Sequence, residues 1–65
     1  MPSGIPKGEI LRITHTTLKG EVYYFTKKPN VTGYTLYKEE NGKAVKIAKG
    51  PNPIFLEDKY IKGKK

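Results

Sequence analysis

Apolar and polar residues alternate along most of the chain, and turn residues divide it into short segments of the kind that form β-strands. The most apolar run, Val22-Tyr23-Tyr24-Phe25, consists of β-branched and aromatic residues that favour strands. The predicted strands cover residues 9–14, 21–27, 33–39 and 43–49. Turn signals fall at 17–20 and 41–42, a loop starts at 28–30, and a sharp break follows at 50–53. The remaining segment, 54–61, is predicted to form one helical turn and then a fifth short strand.

A helical alternative exists for the first half of the chain, where four residues have the spacing of one helix face: Leu11, His15, Leu18 and Val22. The threonines at 14, 16 and 17 and Gly20 are poor helix formers. The strand interpretation is therefore preferred for this region.

The strongest local signal is Asn41-Gly42, because both residues tolerate the positive φ angles of a two-residue type I′ turn. Such a turn fixes the register of its two strands and pairs Leu36 with Ile47, Tyr37 with Lys46, Thr35 with Ala48 and Tyr34 with Lys49. One strand face then carries Leu36, Val45 and Ile47 and is predicted to point to the core. The opposite face, which carries Thr35, Tyr37, Ala44, Lys46 and Ala48, is predicted to point to solvent.

The second strand is harder to orient, because apolar residues occupy both of its faces. We expect Phe25 to point to the core and Tyr24 to point outward, although a strongly bent strand can bury both faces in part. Tyr23, Tyr34 and Tyr60 are expected to be buried or half-buried, since tyrosine packs well in strands.

The ending Ile54-Phe55-Leu56-Glu57-Asp58-Lys59-Tyr60-Ile61 resembles the close of an SH3-like barrel, and the Asn-Gly hairpin then corresponds to the distal hairpin of such a barrel. The predicted class is all-β: a small five-stranded SH3-like barrel, or a strongly bent antiparallel meander with a short 3₁₀ turn before the last strand. The predicted organisation is a flexible N-terminal arm at 1–8, a single β domain at 9–61 and a basic C-terminal tail at 62–65.

The amino-acid composition limits the classes of function that the sequence predicts. The 65 residues have no cysteine and one histidine, His15, so thiol catalysis and disulfides are excluded and no acid–base pair or metal motif is apparent. We expect neither an enzyme nor a cofactor or metal site, and we expect a cytoplasmic protein without a membrane span. The formal net charge is +7, and residues 43–65 carry most of it, with seven lysines against Glu57 and Asp58. Such a charge favours polyanionic partners.

The sequence therefore predicts a small basic module that binds nucleic acid, DNA or RNA, with weak sequence preference. Lysines would contact phosphates, and an exposed Tyr37 would stack on unpaired bases. The candidate binding residues are Tyr37, Lys46, Lys43, Lys49, Tyr24, Arg12, Lys27 and Lys28. The alternative is a protein-binding adaptor or inhibitor of the phage or mobile-element type with an acidic protein partner. It would use a sheet edge or an apolar patch of Tyr24, Val31 and Phe55.

Overall fold

A four-stranded antiparallel sheet is the main element of the protein, for which a computed structural model describes residues 3–63. Its strands are β1 (Ile10–Thr16), β2 (Val22–Lys27), β3 (Tyr34–Glu40) and β4 (Lys43–Gly50), and they lie side by side in sequence order. A short helix, α1 (Pro53–Leu56), follows β4 and continues as a π-helical segment (Glu57–Lys62). Residues 1–2 of the predicted arm and 64–65 of the predicted tail lie outside the described residues.

The predicted mostly-β class is confirmed, but the fifth strand is wrong, because residues 53–62 are helical. The Asn52 side-chain oxygen accepts a hydrogen bond from the Phe55 backbone N–H at 2.8 Å, and Pro53 occupies the first helical turn. An Asn cap followed by Pro is a strong helix start. With β1 and β4 at opposite edges, the sheet formed by the described residues is an open meander.

The C-terminal helix widens after its first turn. The Gly63 N–H donates to the Asp58 carbonyl oxygen at 2.7 Å, which is the five-residue spacing of a π-helix. Leu56 and Ile61, also five residues apart, both contact the core of the sheet, together with Tyr60. Among residues 3–63, no helix is long and apolar enough to cross a membrane.

The β3–β4 hairpin has the predicted turn but only half of the predicted register. Asn41 and Gly42 have φ angles of 53° and 83°, and the pairs from Glu40↔Lys43 to Tyr37↔Lys46 are as expected. A β-bulge at Ile47 then shifts the register by one residue. The predicted pairs beyond it are wrong, since Leu36 lies opposite Ala48, Thr35 opposite Lys49 and Tyr34 opposite Gly50.

Both faces of the sheet are covered. The first, here called the helix face, carries Tyr23, Phe25 and Leu36, which pack against Leu56 of α1. The second, here called the arm face, carries Thr26, Thr35, Tyr37 and Ala44, all of them buried. Phe25 points into the core as predicted, and Tyr24, on the opposite face, is half-buried.

The predicted orientation of the β3–β4 hairpin is confirmed for Leu36, which is completely buried in the core, but it is wrong for several other residues. Val45 and Ile47 were assigned to the core but are 44% and 42% exposed, whereas Tyr37 and Ala44, expected in solvent, are buried. Tyr37 is buried as well as Leu36 because β3 lies between β2 and β4 and is covered on both faces. A simple inside–outside alternation does not apply to a strand in that position.

Candidate nucleic-acid interface

Tyr37, the residue on which the stacking prediction depended, is only 3% exposed. Its hydroxyl group donates a hydrogen bond to Oε1 of Glu9 at 2.7 Å. The Thr26 hydroxyl donates to the same oxygen, also at 2.7 Å. The predicted exposure of Tyr37 is therefore wrong, and in this conformation its ring is not accessible to a nucleobase.

Residues 3–9, here called the N-terminal strap, account for the burial of Tyr37. The strap begins at the outer edge of β4, where the Ala44 N–H donates to the Ser3 carbonyl oxygen at 2.6 Å. It ends at Glu9, whose side chain is bonded above β2 and β3, and β1 then begins at the opposite edge of the sheet. The strap thus crosses the arm face diagonally. The flexible arm predicted at 1–8 includes most of the strap, because Pro and Gly residues there interrupt any regular structure.

Glu9 is a buried carboxylate held in its ionised form. Burial alone would raise the pKa of Glu9, but hydrogen bonds from Tyr37 and Thr26, together with the positive charges of Lys28 and Lys46, lower it below its ordinary value. Burial and the nearby Glu9 carboxylate raise the pKa of Tyr37. At neutral pH, Glu9 is therefore an ionised hydrogen-bond acceptor and Tyr37 is a neutral donor.

Four of the predicted binding residues meet at one end of the sheet. β1 begins and β2 ends there, as the pair Ile10↔Lys27 shows, and β3 begins where β4 ends, at the pair Tyr34↔Gly50. The group formed by Arg12, Lys27, Lys28 and Lys49 is called the basic end below.

Two adjoining clefts mark the surface of the basic end. The smaller has a volume of about 100 Å³ and is lined by Ile10, Arg12, Lys27, Lys28 and Pro29. The larger has a volume of about 330 Å³ and is lined by Lys28, Val31, Gly33, Tyr34, Thr35, Lys49 and Gly50. Lys28 belongs to both clefts, and neither lining includes an acidic residue.

The charges of the basic end are not neutralised by ion pairs. Within residues 3–63, the side-chain ion pairs join Lys38 to Glu21 and Lys62 to Glu57. The Lys27 ammonium donates to the backbone carbonyl of Lys28 at 3.3 Å, which leaves its charge in place. The buried Glu9 carboxylate does interact with one residue of the basic end, because the positive charge of Lys28 helps to lower the pKa of Glu9.

The remaining predicted residues lie elsewhere. Lys43 follows the Asn-Gly turn at the other end of the sheet, where it pairs with Ser3. Lys46 is exposed on the arm face opposite Tyr37. Tyr24 is half-buried in β2, opposite Tyr37. The structure thus separates these three residues from the basic end.

Tyr34 lines this site but is not among the binding residues predicted from the sequence. It is half-buried, it lines the larger cleft, and the residue opposite it is Gly50 rather than the predicted Lys49. Only the bulge at Ile47 brings a glycine to that position, and the residues around 47 give no local signal of a bulge.

A third cleft, of about 530 Å³, lies between the β1–β2 turn and the C-terminal helix. Its lining includes His15, Leu18, Glu21 and Ile61, and Leu18 is fully exposed. The lining also includes Lys19 and Lys62, so this cleft combines basic residues with an acidic one, whereas the linings of the two clefts at the basic end include no acidic residue. Comparison of the chain with protein-family models, curated proteins and solved structures gives no match.

Proposed function

We propose that the protein binds nucleic acid with weak sequence preference through the basic end of its sheet. The observation that carries this proposal is the separation of charge along the sheet. Arg12, Lys27, Lys28 and Lys49 line two neighbouring clefts that share Lys28, and neither lining includes an acidic residue. At the opposite end, beside the two turns, the acidic residues Glu21, Glu39 and Glu40 balance the charges of Lys19, Lys38 and Lys43.

Lysine side chains suit contacts with phosphates more than readout of base edges. Binding releases counterions from the nucleic acid, so affinity falls steeply with salt concentration. The chain has one arginine, Arg12, among its 13 basic residues, and bidentate recognition of guanine prefers arginine. The protein is therefore expected to discriminate weakly between base sequences.

The experiment compares two double variants that carry the same net charge. Lys28→Gln with Lys49→Gln removes two charges from the larger cleft, whereas Lys19→Gln with Lys43→Gln removes two from the end that holds the turns. Affinity for a mixed-sequence oligonucleotide is measured by fluorescence anisotropy at several salt concentrations. Each lost phosphate contact lowers the slope of log affinity against log salt by about one, so the first variant is expected to lose about two.

The control variant should retain a slope close to that of the unmodified protein. An equal loss in both variants would indicate that only bulk charge matters and would contradict the location of the interface. Absence of binding at low ionic strength would contradict the function itself.

A protein-binding role is the second candidate, and the outer edge of β4 favours it. Val45 and Ile47 are exposed on this strand, whose outer side is bonded at Ala44 by Ser3. Open strand edges can accept an added strand from a partner.

The predicted apolar patch of Tyr24, Val31 and Phe55 fits a protein-binding role less well. Val31 and Phe55 are exposed, but Tyr24 is half-buried and lies on the other face of β2 from Phe25. A pull-down with and without nuclease separates the two functions: partners retained after nuclease treatment support the adaptor.

A further inference from the structure

The larger cleft at the basic end combines an aromatic side chain, an apolar side chain and two lysines. Its lining includes Tyr34, Val31, Lys28 and Lys49, and most of the surface is apolar. A volume of about 330 Å³ lies at the lower end of the range for small-ligand sites, about 300–1,000 Å³. The cleft can therefore hold a group smaller than a typical cofactor.

Two glycines, Gly33 and Gly50, line the cleft where the start of β3 meets the end of β4. A Cβ atom at Gly33 would lie 2.8 Å from the carbonyl oxygen of Gly50, so no larger residue fits there without a shift of the backbone. Gly50 also lies opposite Tyr34 and places no side chain beside it. In this part of the cleft the lining therefore consists of backbone groups beside Tyr34, with hydrogen-bonding capacity next to an apolar surface.

We infer that this cleft takes one unpaired nucleobase of a single strand, with the flanking phosphates on Lys28 and Lys49. The inference rests on the proposed function and specifies its substrate class. A nucleotide joins a flat, largely apolar ring to a phosphate, and the cleft joins an apolar aromatic lining to two ammonium groups. Bases of an intact duplex are stacked and paired, so they cannot enter a cleft of this kind without being flipped out.

The test uses four ligands: a short oligothymidylate, the same strand with abasic sites in place of its bases, a duplex of equal length, and a short oligouridylate. The oligouridylate shows whether ribose and deoxyribose strands are distinguished. We expect oligothymidylate to bind more tightly than the duplex and also more tightly than the abasic strand. Amide shifts in the titration with oligothymidylate are expected at residues 31, 33, 34 and 50, and these shifts should be absent with the abasic strand.

Tyr34→Leu tests the aromatic wall, with Tyr24→Leu as its control, because Tyr24 is a half-buried tyrosine of β2 that does not line the cleft. The Tyr34 variant is expected to lose about 5- to 150-fold in affinity for oligothymidylate, the range of aromatic stacking on a base. Its affinity for the abasic strand should change little. Val31→Glu, at an exposed cleft position, provides a second variant that leaves the core intact and should weaken binding of every strand.

The outcomes separate this inference from the proposed function. Equal affinity for oligothymidylate, abasic strand and duplex, with no amide shifts at the cleft, would overturn the base site and leave phosphate binding standing. No binding of any ligand at low salt would overturn both. If Tyr34→Leu does not fold, the amide shifts of the unmodified protein with oligothymidylate and with the abasic strand decide the question.

Discussion

Both faces of the sheet bury side chains, but they do so by different kinds of interaction. On the helix face, Phe25 and Leu36 contact Leu56 through apolar surface alone. On the arm face, Thr26 and Tyr37 contact the strap through hydrogen bonds to one carboxylate. The comparison shows that a thin domain can close its second face with a polar network, provided that each buried donor and acceptor is satisfied.

The difference matters for a chain of 65 residues, because small domains bury a limited share of their surface. Apolar packing tolerates small adjustments, whereas a buried carboxylate that loses its partners is costly. We therefore expect the helix face to set most of the stability and the arm face to set how specifically the strap is held.

The largest effect is expected for Leu56→Ala on the helix face. Leu56 is completely buried, so the substitution removes apolar contacts and leaves a cavity, at a cost of about 2–5 kcal/mol of unfolding free energy. The control is Ile54→Ala in the same helix, since Ile54 is mostly exposed and should change stability by less than about 0.5 kcal/mol. Urea denaturation followed by tyrosine fluorescence measures both, and similar losses would contradict a core centred on Leu56.

The next largest effect is expected for Glu9→Gln on the arm face. The substitution replaces an ionised acceptor of two hydrogen bonds by a neutral amide, which should cost about 1–3 kcal/mol. Glu40→Gln is the control, because Glu40 is exposed beside the Asn-Gly turn. A double-mutant cycle with Tyr37→Phe isolates the interaction between the two groups. A coupling energy near zero would show that the carboxylate does not hold the strap.

A smaller effect is expected for Gly4→Ala within the strap. Gly4 has a φ angle of 100°, and a Cβ atom there would collide with the Ala44 carbonyl group. Gly20→Ala is a matched control, with a φ angle of 89° and no atom within 4 Å of the added carbon. Both variants carry a left-handed backbone penalty of about 1–2 kcal/mol, and only the first should also accelerate amide exchange at Ala44. Equal exchange rates in the two variants would argue against docking of the strap at Ala44.

The smallest effect is expected from mild acid. Because the folded-state pKa of Glu9 lies below its ordinary value of 4.5, its contribution to stability is present above that value and is lost as pH falls through the lowered pKa. A protonated carboxyl group and a glutamine amide each keep one accepting carbonyl oxygen, but protonation is incomplete at pH values near the lowered pKa, so the loss in mild acid should be smaller than in Glu9→Gln. Unfolding curves between neutral pH and about pH 3 measure it, and the Glu9→Gln variant should show a weaker dependence on pH.

The sequence predicted those parts of the fold that depend on local chemistry. The four strands and the Asn-Gly turn follow from alternation and from residues that tolerate positive φ angles. The last segment was assigned in part to a strand, although Asn52 and Pro53 form a clear helix start. The prediction followed the resemblance to a barrel ending and took residues 50–53 only as a break, whereas Asn52 and Pro53 start a helix.

The parts that could not be predicted depend on contacts between distant residues. Burial of Tyr37 requires a partner 28 positions earlier in the chain, and nothing near Tyr37 indicates it. The bulge at Ile47 changes every pair beyond it and brings Gly50, rather than Lys49, opposite Tyr34. The basic residues were selected without knowledge of the strand pairing, which brings Lys28 and Lys49 to the same end of the sheet and leaves Lys43 at the other end.

The attachment of Ser3 beside Ala44 has a practical consequence for labelling. Ser3 is bonded next to the Asn-Gly turn, at the end of the sheet farthest from Lys28 and Lys49. A fluorophore, tag or surface linker joined ahead of Ser3 would leave the molecule on the side away from both clefts. Immobilisation by the N-terminal side should therefore present the basic end to ligand in solution, whereas a linker at Pro29 or Val31 would obstruct it.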